Sequence, residues 1–523
     1  MATSTEPAHL GGFQVVGTGY QGPIYQMVHD FLVVHDDQGQ PHPHLAEALP
    51  SMEDGSWKVF PDGTMETVWR LRSGPKWHDG TELTAHDIAF TWRVANDPEI
   101  PWSRPAYARR ISEITSPDAR TLVMRWKGTF PFAHRPEETT LDPIPTHLLE
   151  SQYAADVQGF INSPYWTREF VGLGPYRITA WQEGSHLELA AVDDHYAGRA
   201  KIDAITVRFI PDPNALMANL LSRAVDANIA PTDLDYQHWS LLSQQWPEGQ
   251  VVHDQHGTLR FLGANQRGRP FDDVRVRRAL AHAVDREGVI DALLVPRSQL
   301  AEAMVAPGSD RARLFRDKIH RYVYEPARAQ AYLEEAGWRR GGDGVVRDPD
   351  GRPLEFEFRS SDETLGTVVT EMWKSIGLSV NLVVPGPALM RDREWQANVK
   401  GVEASGFGLS FGMWERRMHS SGIPVPENCW ADTNRRYYSN PEVDALTDRL
   451  NVTLDAAERD RIEGDLIERV TRDAVVAPIY VDAPASVDRK EITGHKPMAG
   501  LPIIVSRYYG TWNILEWERT DAR

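Results

Sequence analysis

Two histidines and two aspartates fall within ten residues of the stretch WHDGTELTAHDIAFTW: His78 and Asp79, then His86 and Asp87. Imidazoles and carboxylates at this density could ligate a metal ion or exchange protons. Their spacing argues for something plainer. Asp79-Gly80 is a turn signal. Thr84 stands three residues before Asp87, the pattern that satisfies the free N–H groups at the start of a helix. Ile88, Trp92 and Ala95 then give that helix its apolar side. His78 lies across a loop from His86, and no third ligand has helical spacing to either. The stretch therefore reads as strand end, turn, cap and helix.

Other chemistry-bearing patterns dissolve in the same way. His42 and His44 in QPHPHL look like a metal pair, but the flanking prolines describe a surface turn. The single cysteine, Cys429, excludes an intrachain disulfide and a thiolate cluster. HExxH and the P-loop pattern GxxxxGK[ST] are absent; GLSFG (408–412) and GTGYQG (17–22) fit GxSxG and GxGxxG by letter, and neither alone makes a site. With 74 acids, adjacent carboxylates arise by chance, so Asp193-Asp194 and Asp272-Asp273 do not indicate a hydrolase. No catalytic residue, metal or cofactor is expected.

The elements that must position any site come from the rest of the chain. At 523 residues it is too long for one ordinary core and should form two to four packed units. No run offers the roughly 18 consecutive apolar residues of a membrane span. Net charge is −18, which disfavours nucleic acid as a partner. The densest basic cluster, Arg275, Arg277 and Arg278, sits among aspartates and reads as a solvated helix face. The opening MATSTEPAHLGG lacks the charged and apolar regions of a signal peptide, so the protein is either cytoplasmic or lacks its export signal in this sequence. Seventeen tryptophans are an excess, most of them expected in packing and a few available as stacking platforms.

Strands and helices are mixed without strict alternation, which predicts an α/β or α+β chain of several lobes. Phe31–His35 reads as a strand followed by a turn and a short helix near Leu45–Leu49. TMETVWRLR, TLVMRWK, LELAAV and AITVRFI are further strands. Asp272 or Asp273 would cap a helix striped by Val276, Ala279, Leu280 and Ala283. Glu325-Pro326 opens another that stops at Gly337, and Asn440-Pro441 opens a third. LDAAERDRIEGDLIERVTRDA is a long charged helix followed by the strand VVAPIYVD.

VWRLRSGPKWHDGTELTAHDIAFTW resembles the turn-and-helix signature of bacterial extracytoplasmic solute-binding proteins of ABC transporters, in the peptide, dipeptide and nickel class known as family 5. LAEALPS, GLGPYRITAWQEGSHLELAAVDDHY, NQRGRPFDDVRVRRALAHAVDRE and YYSNPEVDAL match further family segments in the same order. The resemblance implies an α/β, bilobal fold of the type II periplasmic-binding-protein kind, with an additional inserted lobe and a two-crossing hinge. Residues 1–49, 172–262 and 483–523 would build the first lobe. Residues 50–171 would form the smaller inserted lobe, and 263–482 the second ligand-binding lobe. It also implies the function: closing two lobes around a solute, foremost a peptide, and delivering it to the permease subunits of an importer. An oligosaccharide or a small carboxylated solute is the alternative. The protein would act as a monomer outside the cytoplasm, in the periplasm or lipid-anchored at the cell surface.

By the same resemblance, ligand would be met by Tyr20 and Gln21 in GTGYQG, by Tyr107 in PAYARR, and by Arg260 and Phe261 in LRFLGANQ. The last segment, GFGLSFGMWERRMHSSG, offers Gly412, Met413, Trp414, Glu415 and Arg416. Trp414 is a candidate stacking or lid residue, with buried core as the alternative. Peptide-binding members carry a Gly-Trp-like pair, matched here by Gly412, Met413 and Trp414, and shortly after it an acidic anchor for the peptide ammonium; the usual Asp-Pro-like element is missing here. Glu415 could replace the anchor if it points inward; otherwise Arg416 would favour carboxylate or phosphate on the ligand.

Overall fold

Alternating burial is what makes the short segment Met65–Arg70 a strand: Met65, Thr67 and Trp69 point into a core, while the residues between them face outward. The computed structural model describes residues 1–11, 22–37, 40–100, 106–136, 141–230, 233–253, 257–293, 298–386, 388–409, 412–482, 484–496 and 511–520. The chain divides into two compact units, Met1–Gln255 with Pro484–Arg523, and His256–Ala483.

The first unit holds two large sheets. Seven strands run in the order Gly249–His253, Ala485–Arg489, Ala227–Asn228, Ala2–Thr3, Ala204–Phe209, His186–Ala191 and Tyr176–Gln182. Ala2–Thr3 is parallel to both of its neighbours, and the other pairs are antiparallel. The second sheet is antiparallel, Trp57–Val59, Met65–Arg70, Thr121–Trp126 and Ile111–Asp118, and the helix Ala85–Ala95 packs on it. Phe90 and Val94 of that helix join Phe160, Trp166, Leu187 and Trp517 in one core.

In the second unit a six-stranded sheet runs Gln299–Leu300, Ala477–Val481, Thr258–Ala264, Val402–Gly408, Glu355–Arg359 and Ser379–Val383. Both of its faces are covered. On one, Leu262 and Ala264 pack with Leu280, Val369 and Trp373 from the helices Val274–His282 and Glu363–Ser375. On the other, Leu259 and Phe261 pack with Leu450, Leu466 and Ile467 from the helices Pro441–Val452 and Ala456–Arg472. The alternation of one strand thus feeds two cores.

The stripe Val276, Ala279, Leu280 and Ala283 is buried as its period requires, and Asp273 rather than Asp272 caps that helix by accepting the Arg275 N–H at 2.8 Å. Two local expectations fail. No helix forms near Leu45–Leu49, because the Leu45 N–H is taken by the Phe31 carbonyl, the Glu47 N–H by that of Arg70, and Ala46 bridges Leu71. The basic cluster is not wholly solvated either. Arg277 is buried and donates to the carbonyls of Phe271, Asp272 and Asp473, binding the helix to a distant turn.

Candidate ligand site

Each member of the first His/Asp quartet has a structural task. The Gly172 N–H donates to Nδ1 of His78, so Nε2 carries the proton and donates to the Gly174 carbonyl at 2.9 Å. Asp79 accepts the Thr81 N–H within its turn and also faces His147 at 2.7 Å. His86 reaches Glu150 at 3.3 Å. Asp87 holds Thr84 and Thr146. His42 and His44 diverge: His42 bonds Asp36 from a short strand, while His44 meets the Tyr196 hydroxyl beside Asp30. Among the described residues no three His, Cys, Asp or Glu side chains converge to hold a metal ion.

Of the residues expected at a ligand, Tyr107 belongs to the first unit, and Arg260, Phe261, Gly412, Met413, Trp414, Glu415 and Arg416 belong to the second. Tyr20 and Gln21 lie outside the described residues. Tyr107 is buried against Trp126 and Phe130, and its hydroxyl donates to the Ala133 carbonyl at 2.8 Å. Burial raises that phenol well above its usual range. Arg260 is held by Asp482, with Nε and one terminal nitrogen each 3.0 Å from the same oxygen, while the Thr258 N–H donates to the other oxygen. Burial raises the Asp482 carboxyl, and the Arg260 charge partly offsets it.

Phe261 has no exposed surface, and its ring centroid lies 4.9 Å from that of Phe407 on the neighbouring strand. Within the helix Met413–Arg417, Met413 and Trp414 are buried in the core beside them, and the Trp414 indole reaches Glu463 at 3.4 Å. Packing is the alternative the sequence left open for Trp414. Gly412 precedes the helix and is partly exposed. Glu415 accepts from the Asn451 amide at 3.3 Å, and Arg416 is exposed.

Two residues that sequence reasoning passed over stand with this group. Arg417, in the same ERR run as Glu415, lies over the Phe407 ring at 4.5 Å. Arg436, from NRRYY, is 1% exposed and lies over the Phe261 ring at 5.4 Å. Burial lowers the Arg417 guanidinium well below its usual range, and Arg436, Arg416 and Arg435 push the same way against Glu403 alone. Burial brings Arg436 down to about 10, with Glu403 opposing. The available signal was weak: two doubled arginines, each within two residues of an aromatic one, in WERR and NRRYY. Nothing local says that they meet.

Two α/β units, the first built on two multi-stranded sheets and the second on one, belong to a bilobal, type II binding-protein fold. Residues 40–419 match the family model of bacterial extracellular solute-binding proteins, family 5, and the chain belongs to that family. It is 24% identical over 488 residues to the oligopeptide-binding protein AppA of Bacillus subtilis, a match covering 90% of this chain and 84% of AppA. The oligopeptide-binding protein of Thermus thermophilus, solved with a pentapeptide, superposes with a TM-score of 0.81 at 21% identity, over 99% of this chain and 96% of that one. NikZ of Campylobacter jejuni, solved with Ni(L-His), gives 0.79 at 23% identity, over 99% and 98%. The family is one of substrate-binding proteins that act outside the cytoplasm. Among the described residues no helix is long and apolar enough to cross a membrane.

Proposed function

We propose that the chain is the capturing subunit of an ABC importer for peptides: it closes two lobes on a solute and delivers it to a membrane permease. The match to the family over residues 40–419 carries this. Similarity to an oligopeptide-binding protein along 90% of the chain favours peptide as cargo. Such a protein needs no bond-breaking step. Ligand shifts an open–closed equilibrium by its preference for the closed form, which the permease then recognises. The protein is therefore no enzyme, and it works as a monomer in the periplasm or anchored at the cell surface.

Of the proposed contacts, Arg260, Gly412, Glu415 and Arg416 are the ones with surface to offer, and Tyr20 and Gln21 stand on the family resemblance. A second reading, a carboxylated solute, is supported by the arginines that follow Glu415. Comparing native and denatured masses of the freshly purified protein tests both. A spread of excess masses that fragments into amino acids is expected. A single hexose-multiple or small anionic excess would transfer the assignment to sugars or carboxylates. Hydrolysis of a peptide in proportion to protein concentration, lost on mutating one carboxylate, would show an enzyme instead.

A further inference from the structure

The antiparallel register of Thr258–Ala264 with Val402–Gly408 sets Leu259 opposite Phe407, Phe261 opposite Ser405 and Gly263 opposite Glu403. Opposed residues share a face, so the two phenyl rings and the Glu403 carboxylate lie on one side of the sheet. Arg436 crosses that side over Gly263, where a Cβ would meet its Cδ at 2.8 Å. The outcome is a pair of touching rings, 4.9 Å between centroids, each carrying a guanidinium: Arg436 on Phe261 and Arg417 on Phe407.

The charges there do not balance. Glu403 is 3.4 Å from one terminal nitrogen of Arg436, whose other terminal nitrogen donates to the Thr433 carbonyl at 2.8 Å. Among the described residues, the buried Nε of Arg436 has no hydrogen-bond partner, and Arg417 has neither a hydrogen bond nor an ion pair. Two other buried guanidiniums of this chain show the contrast. Arg359 also stacks on a ring, that of Trp395 at 3.8 Å, yet it bonds Glu357 and the carbonyls of Trp395 and Asn398. Arg277 has three carbonyl acceptors. A stacked, partly buried cation left without an acceptor beside a second one is a built-in demand for an anion.

We propose that Arg417, backed by Arg436, is an oxyanion subsite that receives a carboxylate of the transported solute. This rests on the solute-capture function proposed above and adds the chemistry of one end of the cargo. A guanidinium held over an aromatic ring keeps a forked N–H edge free, and that edge matches the two oxygens of a carboxylate. An ammonium is the wrong charge for this place, because the two cations outnumber Glu403, the acid that faces Arg436. A peptide would therefore present its C-terminal carboxylate or an acidic side chain here, and a non-peptide carboxylic acid would present the same group.

Titration calorimetry on the full chain tests the subsite with pentaalanine, its C-terminal amide, its N-acetyl derivative and galacturonate. Wild-type protein should bind the free acid roughly tenfold to a hundredfold more tightly than the amide, the range of charge-assisted hydrogen bonds. N-acetylation should have little effect. In Arg417→Gln the acid should fall to the level of the amide, with Arg417→Lys between, and unchanged melting confirms that the variants fold. Equal binding of acid and amide, unaltered by Arg417→Gln, would overturn the subsite while leaving peptide capture intact. Loss on N-acetylation alone would overturn it too, by showing that an ammonium is the anchored group. Galacturonate binding that depends on Arg417, with no peptide bound, would support the subsite and retire the peptide cargo. No binding by any of the four would count against both.

Discussion

Asp87 and Thr146 join two helices through one carboxylate: Oδ1 of Asp87 accepts the N–H and the hydroxyl of Thr146 at 3.0 and 2.7 Å. Oδ2 meanwhile accepts the N–H and the hydroxyl of Thr84 at 2.8 and 3.0 Å. The starts of Ala85–Ala95 and Thr146–Ala155 are thus served by a side chain only 2% exposed. Asp87→Ala should lower stability by about 2–4 kcal/mol, because four partly buried donors lose a charged acceptor. Asp87→Asn should lower it less. Chemical denaturation checks this, and a change within the error of the wild-type midpoint would refute the double-cap role.

Buried imidazoles make the first unit sensitive to acid. Burial lowers His29 to about 3 and His9 to about 4. His78 likewise falls to about 4, with the Gly174 carbonyl bond opposing. Each binds a proton in the unfolded chain near pH 6.5 but not in the folded one. Their stabilisation is therefore present above about pH 6.5 and lost as pH falls toward the folded values. His195 works the other way. Burial acts to lower it, but the hydrogen bond and charge of Asp30 prevail and raise it. Its contribution is present below about pH 6.5 and lost as pH rises through the raised value. Melting temperature should fall between about pH 6.5 and 4, and His29→Leu should make that decline shallower. An unaltered acid limb in the variant would remove His29 from this account.

Packing and binding roles separate at Trp414 and Tyr107. Trp414→Ala should destabilise the second unit by about 3–5 kcal/mol, the scale of an emptied aromatic site in a core. Tyr107→Phe should remove about 1 kcal/mol, the bond to the Ala133 carbonyl. In both variants the folded fraction should keep its affinity for cargo. A large loss of affinity at unchanged melting temperature would make either residue a direct contact.

Asn434 ties together the loop that carries both stacked arginines. It is fully buried, and its amide donates to the carbonyls of His419 and Tyr438 at 3.0 and 2.8 Å. Its own N–H donates to the Gly422 carbonyl at 2.8 Å. Asn434→Ala should cost about 2–3 kcal/mol and should weaken binding as well, since Arg417 and Arg436 flank the loop. Wild-type hydrogen-exchange protection across residues 416–438 of the variant would contradict this.

Much of the fold is legible in short stretches of sequence. Turn and cap chemistry acts over three or four residues, so Thr84-x-x-Asp87, Asp273, Gly337 and Asn440-Pro441 announce their elements locally. The order of short motifs from VWRLRSGPKW to YYSNPEVDAL carries the family. Errors arise where distant chain decides the outcome. Leu45–Leu49 has no helix because neighbouring backbone claims its N–H groups, and Arg277 is buried because the Asp473 carbonyl comes to meet it.

The sequence by itself therefore determined the caps and turns that bound several elements, the α/β class and the solute-binding family, since these follow from periodicity, capping and motif order. Only the tertiary structure decided which charges meet. Phe261 and Phe407 touch because of a strand register, and Arg417 and Arg436 reach them from separate parts of a folded loop. A guanidinium without an acceptor looks no different in sequence from one that has three. The difference lies in partners brought from far along the chain, at distances that only packing sets.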